Sequence, residues 1–183
     1  MITDYKIYSV SDGYIKFLQK SCPNVYSNKE NTRTHTRKYI GIVIKINEFH
    51  YYIPMSSPKK IDYQKAGSGM AIRKSIIPII RIVVKNSKGI KELKGTLRVS
   101  HMIPVPATEL KLYDIDNEPD KAYRDLIRDE MIFIRQNKVK IGNNAKVIYK
   151  QKLNEDETVG YIKSALNYKI LEEKCRQFLA EIK

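Results

Sequence analysis

The sequence has no tryptophan, and only two cysteines and three histidines among 183 residues. Cys22 and Cys175 lie far apart and match no metal-ligand spacing, so free thiols in a reducing compartment are expected. No run reaches the roughly 18 consecutive apolar residues that a membrane span needs. The opening MITDYKIYSV lacks the basic-then-apolar layout of a signal peptide, and a cytoplasmic protein is expected. No internal repeat and no low-complexity segment stands out. Acidic residues are scarce: 20 Asp and Glu face 34 Lys and Arg, a formal net charge of +14.

That excess is uneven. Residues 1–113 hold 20 basic and 7 acidic residues, and residues 114–183 hold 14 and 13. Solubility alone does not require such an asymmetry, and a polyanion is the partner it favours, RNA or DNA first. With 42% apolar residues the chain has enough material for a core, and its length suits a single domain spanning 1–183. The thirteen tyrosines offer rings for bases and hydroxyls for phosphates, although most are expected in the core or at its rim.

Hydrophobic periodicity divides the chain in two. YKIYSV (5–10) reads as a strand. SDGYIKFLQKSC (11–22) reads as a helix capped by Ser11 or Asp12 and stopped by Pro23. A polar loop is expected over 24–36. RKYIGIVIKI (37–46) and FHYYIP (49–54) read as a hairpin across Asn47-Glu48. AGSG (66–69) reads as a flexible loop. SIIPIIRIVV (75–84) is a strand whose proline places it at an edge or bulge. GTLRVSHMIPVP (95–106) and KLYDI (111–115) add strands. From Asn117 the period becomes helical, with Tyr123, Leu126, Ile127, Met131 and Ile134 recurring at helical spacing, and then Tyr168, Leu171, Cys175, Phe178, Leu179 and Ile182. A helix is expected over 139–153, broken at Gly142. The fold class is therefore α+β: a twisted, mainly antiparallel β-sheet core with packed helices.

The segment PMSSPKK (54–60) follows the most strand-like stretch. Ser57 before Pro58 is a helix-start signature, and a helix N-terminus seats phosphate. Lys59 and Lys60 would then occupy the end of the helix that cations disfavour. A broken local rule at an anion seat suggests function, whereas a capped surface turn with solvated lysines explains the pattern equally well. RNA can be cleaved without metal when its 2′-hydroxyl attacks the adjacent phosphate. The protein then has to align the attack, neutralise the growing charge and protonate the departing 5′-oxygen. A serine and a lysine suit those tasks. No His, Cys or carboxylate cluster with metal spacing lies nearby, so neither a metal nor another cofactor is expected.

KIYSVSDGYIKFLQK, RKYIGIVIKINEFHYYIPMSSPKK, LRVSHMIPVP, FIRQN and LEEKCRQFL, in that order, resemble the ToxN/AbiQ family, the toxins of type III toxin–antitoxin and phage abortive-infection systems. The resemblance implies a fold similar to MazF/Kid toxins. It implies metal-independent, sequence-selective endoribonuclease activity at adenine-rich sites in cellular or phage mRNA. It also implies a tandem-repeat antitoxin RNA, processed by the toxin and bound as a pseudoknot in a closed, RNA-mediated assembly. The family's hydroxyl-hydroxyl-Pro-Lys motif falls on Ser56, Ser57, Pro58 and Lys59, with Met55 where leucine is common. Tyr14 becomes a catalytic residue contacting the scissile nucleotide. Arg37, Lys38, Lys60 and Tyr26 become RNA contacts. Arginine is no acid or base near neutral pH, so Arg37 is a phosphate clamp. Two other functions compete: a non-catalytic basic RNA-binding module, and a MazF-like toxin held by a protein antitoxin. Among the histidines, His101 could titrate in a groove, or be a satisfied residue on a strand face.

Overall fold

The computed structural model describes residues 5–29, 34–156 and 158–182. Part of the expected 24–36 loop, residues 30–33, lies outside them. Strand β1 (Lys6–Val10) leads into helix α1 (Asp12–Gln19). The Ser11 hydroxyl accepts the Tyr14 amide at 3.2 Å, satisfying one of the free donors of the first turn. Strands β2 (Tyr39–Ile46) and β3 (Phe49–Ser56) form the expected hairpin. Asn47 there adopts φ 52°, a left-handed conformation that asparagine tolerates.

The turn expected within AGSG (66–69) is present, with Gly67 at φ 60°, but strands β4 (Tyr63–Ala66) and β5 (Gly69–Ile72), which were not expected, pair on either side of it. This hairpin is mostly exposed on both faces. It therefore lacks the alternation that marks a half-buried strand. Strand β6 (Ile79–Lys85) starts just after Pro78 and forms one edge of the sheet, as the proline requires. Strand β7 (Lys91–Arg98) follows. The single strand expected over 95–106 is interrupted by a one-turn 3-10 helix at Val99–His101, after which comes β8 (Ile103–Pro104). The interruption lets both pieces pair with β3. Met55 and Ser56 face Leu97 and Thr96, and Tyr51 and Tyr52 face Pro104 and Ile103. Strand β9 (Leu110–Leu112) pairs with β1. The sheet order is β6-β7-β3-β2-β1-β9, with β8 beside β3 and every pairing antiparallel.

Helices α2 (Lys121–Gln136), α3 (Lys138–Leu153) and α4 (Tyr168–Glu181) complete the α+β arrangement. Helix α2 packs on β6 and β7, α3 on β2, and α4 on α1. Gly142 does not break α3, which runs through it. A Cβ there would stand 3.2 Å from the Tyr5 hydroxyl and 3.6 Å from the Val43 carbonyl, so this glycine lets helix and sheet approach closely. The core is aliphatic around Ile40, Ile53, Ile80, Ile82 and Leu97, with Tyr14, Tyr39, Tyr51 and Tyr168 fully buried. Tyr51 and Tyr149 both donate to Glu172, at 2.7 and 2.8 Å, which satisfies their hydroxyls inside.

The expected helix start at Ser57-Pro58 is absent. Strand β3 ends at Ser56, residues 57–59 are irregular, and a single 3-10 turn covers Lys60–Asp62. One short turn provides no helix dipole for a phosphate, so anion affinity here rests on side-chain charge.

Candidate active site

Strand β3 carries the chain from the core to the surface within two residues. Ser56 is buried and paired with Thr96, and Ser57 is exposed. The Ser56 hydroxyl accepts from Arg37 Nη1 at 2.7 Å. The same nitrogen donates to the Met55 carbonyl at 3.0 Å, and Arg37 Nε donates to the Ser27 carbonyl at 3.0 Å. Three bonds therefore hold a buried guanidinium against the strand end. The Tyr26 ring completes this corner, with its centroid 4.7 Å from the Arg37 guanidinium carbon, and it stacks on His101 at 4.3 Å and 9°. A cleft of about 520 Å³, lined by Gln19, Asn24, Tyr26, Ser27 and His101 among others, opens beside the stack.

Lys59 is placed by its backbone. Its amide donates to Asp62 Oδ2 at 2.9 Å, and its carbonyl accepts the Asp62 amide at 2.9 Å. Asp62 is fully buried. Arg81 Nε and Nη2 both reach its Oδ1 at 3.1 Å, and Arg98 Nη2 stands 3.5 Å from its Oδ2. The trio carries one net positive charge under the loop that presents Lys59. The Lys59 and Lys60 side chains are both exposed above it. Sequence reasoning missed Asp62, Arg81 and Arg98, because no local pattern links residues 19 and 36 positions apart.

Lys38 turns away from Arg37. Its Nζ donates to the Thr36 carbonyl at 2.9 Å and lies 4.5 Å from the Tyr113 ring centroid and 6.0 Å from that of Tyr123. His35 stacks on the other ring of this group, Tyr123, at 3.7 Å and 3°. Lys38 also lines a pocket of about 40 Å³ with Ser56, Ser57, Lys94, Tyr123 and Glu130. Sequence reasoning missed Glu130. Its signal was a carboxylate among Ile127, Met131 and Ile134 on the buried face of α2.

Tyr14 requires a correction. Its side chain is fully buried, its hydroxyl donates to the Pro104 carbonyl at 2.7 Å, and its ring meets Phe178 edge-on at 5.0 Å. Burial pushes the phenol far above its ordinary value. A side chain with no exposed surface reaches no nucleotide, so Tyr14 fastens α1 to α4 and β8. His101 is the satisfied histidine of the two readings, held in a 3-10 turn and not on a strand face. Burial, then Arg98 and Arg37, push it down to about 4, so it is neutral at pH 7 and serves as a stacking partner. The unfolded histidine takes up its proton near its ordinary value of 6.5, while the folded one resists until about 4. Stability is therefore complete above about pH 6.5 and declines as the pH falls towards 4. Thermal midpoints measured across that window are expected to fall less steeply for His101→Asn than for the wild type.

Among the described residues, no three His, Cys, Asp or Glu side chains gather as a metal site, and no helix is long and apolar enough to cross a membrane. Arg37, Ser56, Ser57, the Lys59 loop, Tyr26 and His101 meet around the end of β3, Lys38 lies on its other side, and Tyr14 stands apart. A family model described as toxin ToxN of type III toxin–antitoxin systems matches residues 6–176. The chain belongs to the ToxN family.

Similarity to individual members runs over nearly the whole length. The chain is 30% identical over 170 residues to endoribonuclease AbiQ of Lactococcus lactis subsp. lactis, covering 93% of this chain and 87% of AbiQ. It is 27% identical over 174 residues to endoribonuclease ToxN of Pectobacterium atrosepticum, covering 94% and 93%. The solved structure of AbiQ, a lactococcal anti-phage endoribonuclease of the type III class, superposes with a TM-score of 0.76 at 26% identity, covering 97% of this chain and 99% of that one. A structure from work on selective toxin inhibition by a non-coding RNA pseudoknot superposes with a TM-score of 0.72 at 25% identity, covering 96% and 98%. The ToxN fold thus places the SSPKK segment at the exit of a central strand, beside the buried arginines.

Proposed function

We propose that this chain is the endoribonuclease toxin of a type III toxin–antitoxin system, that it cleaves RNA at the end of β3, and that a structured antitoxin RNA inhibits it. One observation carries the reading: in a ToxN-family chain, the SSPK segment leaves a central strand with Ser56 held by Arg37 and the Lys59 backbone held by Asp62, the carboxylate that bridges Arg81 and Arg98. The chemistry is transesterification. The substrate's 2′-hydroxyl attacks the adjacent phosphate, leaving a 2′,3′-cyclic phosphate and a 5′-hydroxyl. Ser57 donates a hydrogen bond to a non-bridging oxygen, and the Lys59 ammonium offsets the charge that grows on the phosphorane. Ser56, held by Arg37, fixes the strand end and with it the position of Ser57. Lys60 holds a flanking phosphate, and the Tyr26 ring borders the cleft that takes a neighbouring nucleotide, whereas Lys38 is buried with its ammonium on the Thr36 carbonyl and holds none.

The finer parts of the reading follow the family resemblance. Cleavage falls in adenine-rich RNA and needs no metal. The antitoxin is a tandem-repeat transcript that the toxin processes and then binds as pseudoknots, in a closed assembly within the cytoplasm. The likeness to MazF/Kid toxins belongs to the same reading. RNA-free protein incubated with an adenine-rich RNA in excess EDTA is expected to give cyclic-phosphate and 5′-hydroxyl ends by mass spectrometry. Cleavage that appears only after divalent cations are added would overturn the mechanism. Protein co-expressed with its flanking DNA is expected to absorb more strongly at 260 than at 280 nm. A purified complex whose inhibitor is a polypeptide would favour the protein-antitoxin alternative.

A further inference from the structure

The small pocket beside the serine pair contains a carboxyl group that the mechanism above leaves unused. Glu130, on the buried face of α2, is 5% exposed. Its carboxyl lies directly over the backbone of Gly95 on β7. A Cβ at Gly95 would stand 2.1 Å from Glu130 Oε1 and 3.2 Å from the Ser56 carbonyl oxygen, so only glycine leaves the carboxyl room beside the strand end. Among the described residues Glu130 makes no hydrogen bond and no ion pair, and its carboxyl oxygens are not wholly sealed from solvent. The charged groups around it point elsewhere. Lys38 Nζ is engaged with the Thr36 carbonyl and the two tyrosine rings, and Lys94 Nζ with Glu92 at 2.9 Å and Asp129 at 3.4 Å. Tyr123 and the serine hydroxyls are neutral. The neighbouring acid Asp129 repels a second negative charge.

A carboxylate that is desolvated and unpaired is costly, and it keeps its proton instead. Burial first, then Asp129, push Glu130 up to about 8. The pocket's volume of about 40 Å³ accommodates one or two oxygen-sized groups and is too small for a nucleobase. A protonated carboxyl facing an oxygen-sized space next to Ser57 has the geometry of a proton donor to a leaving oxygen.

On the reading that cleavage occurs at the end of β3, we infer that Glu130 is a further catalytic residue, the general acid that protonates the departing 5′-oxygen. The substrate's 2′-hydroxyl gives its proton to water as the O2′–P bond forms. The P–O5′ bond breaks, and the 5′-oxygen takes the proton from the Glu130 carboxyl. The carboxylate left behind recovers a proton from water, so the protein returns to its starting state with no net proton change.

The test is single-turnover cleavage against pH, with two substrates: ordinary RNA and RNA carrying a 5′-sulfur at the scissile position. Sulfur leaves as a thiolate and needs no proton. With ordinary RNA the wild-type rate is expected to fall above about pH 8, and Glu130→Gln is expected to lower the rate about 10²–10³-fold and to remove that limb. With the sulfur substrate Glu130→Gln is expected to match the wild type within a few-fold. Loss of equal size on both substrates, or an unchanged rate and limb on ordinary RNA, overturns the assignment. Should Glu130→Gln not fold, wild-type protein still decides it, because the limb above pH 8 has to vanish with the sulfur substrate. Ser57→Ala in the same assay separates the two claims. A wild-type rate for Ser57→Ala refutes the location of the centre. An inactive Ser57→Ala beside a fully active Glu130→Gln refutes the general acid alone.

Discussion

Replacing Asp62 with alanine is expected to destabilise the protein by about 3–5 kcal/mol, because it strands two buried arginines. Arg81 and Arg98 are 5% and 8% exposed and share this one carboxylate. Removing a single partner leaves both cations without their counter-charge in a region that water does not reach. At roughly 2–4 °C per kcal/mol for a chain of this size, the thermal midpoint should drop by about 10 °C. The same change releases the Lys59 amide, so cleavage should fall even at temperatures where the variant is folded. Asp62→Asn keeps an acceptor for that amide but removes the charge, and it should lie between the two. A midpoint within about 2 °C of wild type for Asp62→Ala would show that the two arginines find another partner and that the trio is not what holds the loop.

Ser57→Ala and Lys59→Ala are expected to behave in the opposite way. Both side chains are exposed, so stability should stay within about 0.5 kcal/mol of wild type. Cleavage should fall about 10²–10³-fold for each, the usual loss when one preorganised donor is removed from a developing oxyanion. Affinity for uncleavable RNA should change far less. Lys59 is one cation on a surface with many, and affinity follows the number of phosphates neutralised. Lys59→Arg retains the charge on a larger, planar head and should recover only part of the rate. Equal losses in binding and in rate would identify the segment as a phosphate seat on a non-catalytic binder, the strongest competing reading. Stability and chemistry thus separate along the loop: a buried carboxylate shapes it, and exposed groups act from it.

This division also explains what the sequence reveals and what it conceals. Periodicity marks elements that bury one face, and it locates β2, β3 and the C-terminal helices, whose apolar residues recur at strand or helix spacing. It cannot mark β4 and β5, whose residues are mostly exposed on both faces. Charge asymmetry and SSPKK point to the end of β3, yet the local rule for Ser-Pro suggests a helix that the Asp62 bridge replaces with one 3-10 turn. The Asp62–Arg81–Arg98 trio joins a loop to two strands, and pairings of that kind leave no local trace. Tyr14 shows the reverse. Its position beside Ile15 and Leu18 fits a core residue, and the motif resemblance, which favours catalysis, does not register that its hydroxyl is already bonded to Pro104. Glu130 is legible only as an exception, an acid at an apolar position of an otherwise regular helix.

The most direct test of the cleavage centre is a crystal structure of the protein bound to a substrate RNA with a 2′-deoxy nucleotide at the cleavage position, so that the attacking hydroxyl is missing. The account predicts the scissile phosphate within hydrogen-bonding distance of the Ser57 hydroxyl and the Lys59 ammonium, above the Asp62 trio. A scissile phosphate seated elsewhere on the basic surface, with Ser57 and Lys59 facing solvent, would contradict it.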